Sequence, residues 1–261
     1  MEFEIYQVDA FTNELFAGNP AAIVPLDSWL SDKLMQQIAA ENNLSETAFY
    51  IEEGLGYHIR WFTPTKEVKL CGHATLATAF VIELKGGFKS KEISFNSKSG
   101  ILKVEKNNDE FVLDFPKSSV TKTENFSWIK ECFGVEAVSV FQCDLDILIV
   151  LKNESIIKSV KPDLVKLKSV KTRGVIVTAQ GDNTDFVSRF FGPAAGIDED
   201  PVTGSAHTAL APYWGGVLGK KILNAKQVSE RGGVLTCEVL ENRVKISGKA
   251  KLYLKGVIQL N

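Results

Sequence analysis

The sequence predicts a mixed α/β (α+β) fold built as two equivalent lobes, each a half-buried sheet with one buried helix. Three observations predict it. Strand-like alternation dominates the 261 residues, two Ala-rich stretches are apolar nearly all round, and a short motif recurs about half a chain length apart. A chain of this length holds one large domain or two small ones, and the repeat decides for two.

The strand signals run in order. Phe3 to Val8 alternates with period two, and Ala21 to Val24 is short and apolar before Pro25. Ala48 to Ile51, His58 to Phe62, Glu92 to Phe95, Leu102 to Glu105 and Phe111 to Phe115 follow, separated by turn-forming residues. The second half repeats the habit at Val138 to Gln142, Asp146 to Leu151, Gly174 to Ala179, Phe186 to Phe190, Val234 to Leu240, Val244 to Gly248 and Ala250 to Val257. Helical spacing is rarer. Asp32 to Ala40 places Leu34, Met35 and Ile38 on one face behind Ser31, a capping residue. Ala74 to Leu84 and Ala206 to Leu218 lack a polar face, so each belongs inside protein. The polar stretch Pro116 to Phe126 reads as the linker. Residues 1–117 form the first lobe, completed by a last strand near 252–261, and residues 118–251 form the second.

Composition excludes several function classes. With 44% hydrophobic and 24% charged residues the chain is globular rather than disordered. Thirty Lys and Arg against thirty-two Asp and Glu leave a net charge of −2, which offers no footprint for nucleic acid or an anionic membrane. The opening MEFEIYQVDAF is acidic and alternating, unlike a secretion signal, and no run reaches the ~18 apolar residues of a membrane span. The four cysteines (71, 132, 143 and 237) and three histidines (58, 73 and 207) show no metal-ligand spacing. A cytoplasmic, reduced protein without a metal is expected.

The repeat carries the functional argument. Arg60-Trp61-Phe62-Thr63-Pro64 is matched by Arg189-Phe190-Phe191-Gly192-Pro193, and each precedes a small-residue turn that opens a buried helix. Cys71 to Ala79 aligns with Thr203 to Ala211 at an offset of 132 (Gly72 to Gly204), with Gly or Ala identical at four of nine positions. Small-residue helix starts are common, but the matching upstream motifs favour a true repeat and two lobes facing across a cleft. The first N–H groups of a helix have no internal partners and sit at the positive end of its dipole, so each start is a ready anion site. Two of them would hold a small carboxylate. His73 and Ser205 flank the two glycines; a core or capping histidine and an ordinary N-cap serine are the plainer readings. Asp200 is held extended by Pro201 and is the best placed of three loop carboxylates, whereas Asp198 and Glu199 read as solvated charges. Glu46 lies in a polar turn whose surroundings become apolar at once, and a desolvated carboxyl there suits proton transfer near neutrality. Gly18-Asn19-Pro20 is another tight loop with a side-chain amide. There is no GxSxG elbow, Walker loop or GxGxxG, and a hydrolase assembled from Ser205, His73 and Asp200 lacks the strained elbow that activates a serine.

Together these stretches resemble the phenazine biosynthesis-like (PhzF) family, isomerases related in fold to diaminopimelate epimerase and proline racemase. The carrying segments are Asp9 to Thr12 with Gly18 to Ala21, Ser45 to Phe49, Arg60 to Pro64 with Leu70 to Thr75, Arg189 to Phe191 through Glu199 to His207, and Gln227 to Gly233. The resemblance implies a diaminopimelate epimerase-like fold, each lobe a curved sheet round a central helix, often in a homodimer. It implies isomerisation of a dihydro-hydroxyanthranilate-like substrate without cofactor, with Glu46 moving the proton and His73, Asp200 and Ser205 assisting. Asn19, Cys71, Gly72, Thr203, Gly204, Arg231 and Gly232 fall at substrate-contacting positions. Two-base epimerases place a cysteine in each half. Here Cys71 fills the first position but Thr203 the second, and a hydroxyl cannot replace a thiol of pKa ~8.5. A non-catalytic small-carboxylate binder and a one-cysteine epimerase are the alternatives.

Overall fold

The computed structural model describes residues 1–88, 90–124 and 126–260. Lys89, Asn125 and Asn261, which fall in the predicted first lobe, the predicted linker and the predicted closing strand, lie outside the described residues. The chain divides into two compact units, Met1–Asp114 with the segment from Ser247 onward, and Phe115–Ile246.

Unit one runs β1 (Glu2–Ala10), β2 (Asn19–Pro25), α1 (Asp32–Asn42), β3 (Glu46–Glu53), β4 (Gly56–Phe62), β5 (Glu67–Val68), α2 (Gly72–Leu84), β6 (Glu92–Ser97), β7 (Gly100–Asn107) and β8 (Glu110–Pro116). Ser31 caps α1, its Oγ accepting from the Leu34 N–H at 3.3 Å. Asn43 ends that helix in the left-handed region at φ 49°, a conformation asparagine tolerates because its short side chain bonds locally. α2 packs against β1, β2 and β3, with Leu76, Ala77 and Ala79 fully buried. Its small side chains let the helix sit close to the sheet. Met35, Ile38 and Ala39 of α1 bury against Val24, Phe49 and Phe62 on another side.

Unit two runs β9 (Val120–Thr123), α3 (Ser127–Phe133), β10 (Ser139–Cys143), β11 (Asp146–Val150), α4 (Glu154–Ser159), α5 (Leu164–Leu167), β12 (Gly174–Gln180), β13 (Phe186–Gly192), β14 (Ile197–Asp200), α6 (His207–Leu218), β15 (Ile222–Gln227), β16 (Gly233–Val239) and β17 (Arg243–Gly248). The chain returns to unit one as β18 (Ala250–Gln259), antiparallel to β1. Ile149, Val177, Phe191 and Ile157 lie in the core that unit two builds under α3, α4 and α5. α6 packs on β15 and β16, and its Trp214 donates to the Thr178 hydroxyl at 2.9 Å.

The internal repeat reaches into strand register. In unit one Lys255, Tyr6, Ile23, Ala48 and Trp61 stand opposite one another across β18, β1, β2, β3 and β4. In unit two Lys122, Phe141, Leu148, Ile176 and Phe190 form the same row across β9, β10, β11, β12 and β13. All four interfaces agree in direction as well as register: the third, β2–β3 and β11–β12, is parallel in each unit and the other three are antiparallel.

Several expectations need correction. The predicted linker holds β9, paired with β10; its Thr and Lys residues face solvent and disguise a strand. The predicted loop before Asp200 is the strand β14. The second buried helix does not start at Ala206: a 3₁₀ turn, Gly204–Ala206, precedes α6. α2 starts two residues before Ala74, at Gly72. Among the described residues no helix is long and apolar enough to cross a membrane.

Candidate active site

In unit one the site residues gather where α2 meets β3. Cys71 is extended (φ −145°) and hands over to Gly72, the first helical residue. Thr75 ties the turn down, donating from Oγ to the Cys71 carbonyl at 2.6 Å. Glu46 is the first residue of β3, not a turn residue, and lies opposite Ala21 of β2. The Asn42 amide donates to the Thr47 hydroxyl at 3.0 Å, which fixes the short connection between α1 and β3. Glu46 is 9% exposed and His73 6% exposed, yet the His73 Nε2 lies only 3.4 Å from a Glu46 carboxylate oxygen. The other ring nitrogen, Nδ1, lies 3.5 Å from the Cys71 sulfur. Burial pushes the His73 imidazole down to about 3, so it is neutral at neutral pH and carries one proton.

Glu46, Cys71 and His73 offer ligand atoms within 4.8 Å of one another. The imidazole turns one nitrogen to each neighbour, Nε2 to the carboxylate and Nδ1 to the sulfur. Asn19, fully buried, stands two residues before Ala21 on β2, so its side chain shares a sheet face with Glu46. Gly18 ahead of it must be glycine: its φ is +70°, and a Cβ there would lie 2.3 Å from the Ala10 carbonyl oxygen.

In unit two Asp200, Thr203 and Gln227 form a buried hydrogen-bonded network. The Thr203 hydroxyl donates to an Asp200 carboxylate oxygen at 2.5 Å. The Gln227 amide accepts from the Thr203 N–H at 2.9 Å and donates to the Asp200 carbonyl at 2.7 Å. Asp200 and Thr203 are therefore held rigidly by a residue whose role sequence reasoning missed. Arg231 and Gly232 lie half-buried in the turn after β15. Ser229 in that turn donates to the Pro201 carbonyl at 2.7 Å and accepts from the Gly232 N–H at 3.0 Å. Ser205 is not a cap. Its hydroxyl oxygen accepts from the Arg173 Nη1 at 3.1 Å, a contact no motif announced. His207 takes the place of Thr75 in the repeat, its Nδ1 lying 2.9 Å from the Thr203 carbonyl; burial pushes it down to about 4.

The paired arginine motifs are structural. Arg60 forks onto Glu67 at 2.8 and 2.9 Å over the Phe62 ring, and Arg189 forks onto Glu199 at 2.7 and 2.8 Å over Phe191. Glu199 is thus a clamp and not a solvated charge. The two units differ where it matters for chemistry. Register places Gly174 where unit one has Glu46, and the helix-start alignment places Ser205 where it has His73. A Cβ at Gly174 would lie 2.1 Å from the Phe190 ring, so any side chain there would have to displace that ring.

A family model described as phenazine biosynthesis-like protein (PhzC-PhzF) matches residues 8–256. The chain belongs to the phenazine biosynthesis-like family. An uncharacterized isomerase of Pseudomonas aeruginosa is 49% identical to this PhzF-family chain over 260 residues, covering 100% of both. The crystal structure of a PhzF-family phenazine biosynthesis protein from Enterococcus faecalis superposes with a TM-score of 0.96 at 48% identity, again over 100% of each chain. A hydroxyproline epimerase from Agrobacterium vitis shares only the fold, with a TM-score of 0.67 at 9% identity over 98% of this chain and 92% of its own. The PhzF fold is thus of the epimerase-like type the sequence predicts.

Proposed function

We propose that this PhzF-family protein is a cofactor-independent isomerase that moves a proton on a small, cyclic, carboxylated substrate, with Glu46 as the base. The observation that carries the reading is the pairing of a buried carboxylate with a neutral imidazole at the start of α2. Ionised Glu46 takes a proton from a ring carbon, the C–H electron pair enters the conjugated system, and the resulting carboxylic acid returns the proton at a second carbon. His73 donates a hydrogen bond that holds the carboxylate in place between the two steps. Unit two does not repeat the pair, since Gly174 and Thr203 stand where unit one has Glu46 and Cys71, which fits a one-base course. Asp200 and Ser205 bind and orient the substrate. The kinship with isomerases supports the reaction class, and trans-2,3-dihydro-3-hydroxyanthranilate is the first substrate to try.

The test is Glu46→Gln, which keeps the shape and removes the base. Solvent deuterium entering substrate C–H positions is followed by proton NMR. General-base catalysis contributes about 10²–10⁴-fold, and a loss of that size is expected. Exchange that continues undiminished in the variant rules the reading out.

A further inference from the structure

We propose that Arg173 is a positioning residue that fixes the Ser205 hydroxyl as a hydrogen-bond donor toward a carboxylate oxygen of the ligand. Arg173 immediately precedes β12, and Asp146 is the first residue of β11, opposite Gly174. Asp146 is buried, and the guanidinium forks onto it, Nε reaching one carboxylate oxygen at 2.9 Å and Nη2 the other. The Phe190 ring, 5.5 Å from the guanidinium carbon, backs the same group. A planar fork held at two points has no rotational freedom left, so the remaining amino group, Nη1, is aimed at the Ser205 oxygen.

The consequence follows from donor and acceptor bookkeeping. A guanidinium only donates, and a hydroxyl carries one proton and two lone pairs. With a charged N–H delivered onto its oxygen, Ser205 turns its own proton away from Arg173. The Ser205 carbonyl is taken by the Thr208 hydroxyl at 2.7 Å, so the backbone of the turn is settled too. Ser205 is half-buried and can still be reached by a ligand. The hydroxyl is thus a polarised donor whose fitting partner is an anionic oxygen, and it is neither a base nor a nucleophile. In the repeat, unit one places a carboxylate beside a helix start, and unit two places a cation-backed hydroxyl beside the equivalent one. This deepens the proposed function and rests on it for the substrate, whose carboxylate the Ser205 hydroxyl receives.

The test reads binding by calorimetry and needs no turnover, so its failure is distinct from failure of Glu46 as base. The probes are 3-hydroxyanthranilate and its carboxamide. The wild-type chain is expected to prefer the carboxylate by about 10-fold or more, the range of charge-assisted hydrogen bonds. Ser205→Ala and Arg173→Met should each abolish most of that preference, and the double variant should be no worse than Ser205→Ala, because Arg173 acts through the serine. Arg173→Met strands a buried Asp146, so it is also made with Asp146→Asn, which removes the uncompensated charge. Three outcomes overturn the proposal: no binding by the wild-type chain, full preference in folded Arg173→Met/Asp146→Asn, or losses that multiply in the double variant.

Discussion

A neutral imidazole has one proton to place, and the two buried histidines of this chain must place it on opposite nitrogens. His73 faces a carboxylate with Nε2 and a thiol with Nδ1. An ionised carboxylate only accepts, so Nε2 carries the proton, and Nδ1 accepts from Cys71. His207 faces the Thr203 carbonyl with Nδ1, and a carbonyl also only accepts, so there the proton sits on Nδ1. Long-range nitrogen–proton NMR at pH 7 should show one Nε2–H and one Nδ1–H tautomer, assigned by His58→Gln and His73→Gln in a chain of three histidines. A His73 found as the Nδ1–H form would leave two acceptors facing each other and remove the support proposed for Glu46. Cys71 then has a plain role, filling the acceptor nitrogen, which Cys71→Ser preserves. An epimerase using this thiol would be silenced by the same change.

At the scale of elements, two glycines separate space from flexibility. Gly174 opens β12 against the Phe190 ring, and an added methyl overlaps it at 2.1 Å. Gly216, inside α6, has nothing within 4 Å of where its Cβ would be. Gly174→Ala should cost about 1–3 kcal/mol through overpacking, and Gly216→Ala should gain about 0.5–1 kcal/mol by lowering the entropy of the unfolded chain. Urea midpoints moving in opposite directions are the expected result; a neutral Gly174→Ala would mean that Phe190 can swing aside. The same scale explains what the sequence made legible. Long strands with an apolar face were readable from period two, as in β1 and β16. The three helices α3, α4 and α5 are seven, six and four residues long, too short for a 3.6-residue period to declare itself. β9 and β14 were hidden because their polar residues face outward or pair with charge. Within the candidate site, Cys71, Gly72 and His73 were visible because they are contiguous. Arg173 was not, because its partners Asp146 and Ser205 lie 27 and 32 positions away and only the fold brings them to it.

For the whole molecule, the two buried histidines link stability to pH. Their folded values, about 3 for His73 and about 4 for His207, lie below the 6.5 that an unfolded histidine shows. Between those limits the unfolded chain binds more protons than the folded one, so stability rises with pH. The contribution is complete above pH 6.5 and is lost as pH falls through that value, at about 1.4 kcal/mol per pH unit for each histidine. Down to pH 5 the two together remove about 4 kcal/mol, a large part of a typical domain's 5–15 kcal/mol. Carboxylates held low by their partners, such as Glu67 beside Arg60 and Asp185 beside Lys220, act only below their ordinary values near 4. These carboxylates are silent in the window from pH 6.5 to 5, where the two histidines set the slope. Each unit carries one of them at a helix start, so acid should weaken both units in that window. Urea midpoints at pH 7 and pH 5 measure the loss, and His73→Gln and His207→Gln should each remove about half of the pH dependence. A chain equally stable at both pH values would show that water or a rearranged partner reaches these rings, and that His73 is not held as the neutral donor to Glu46.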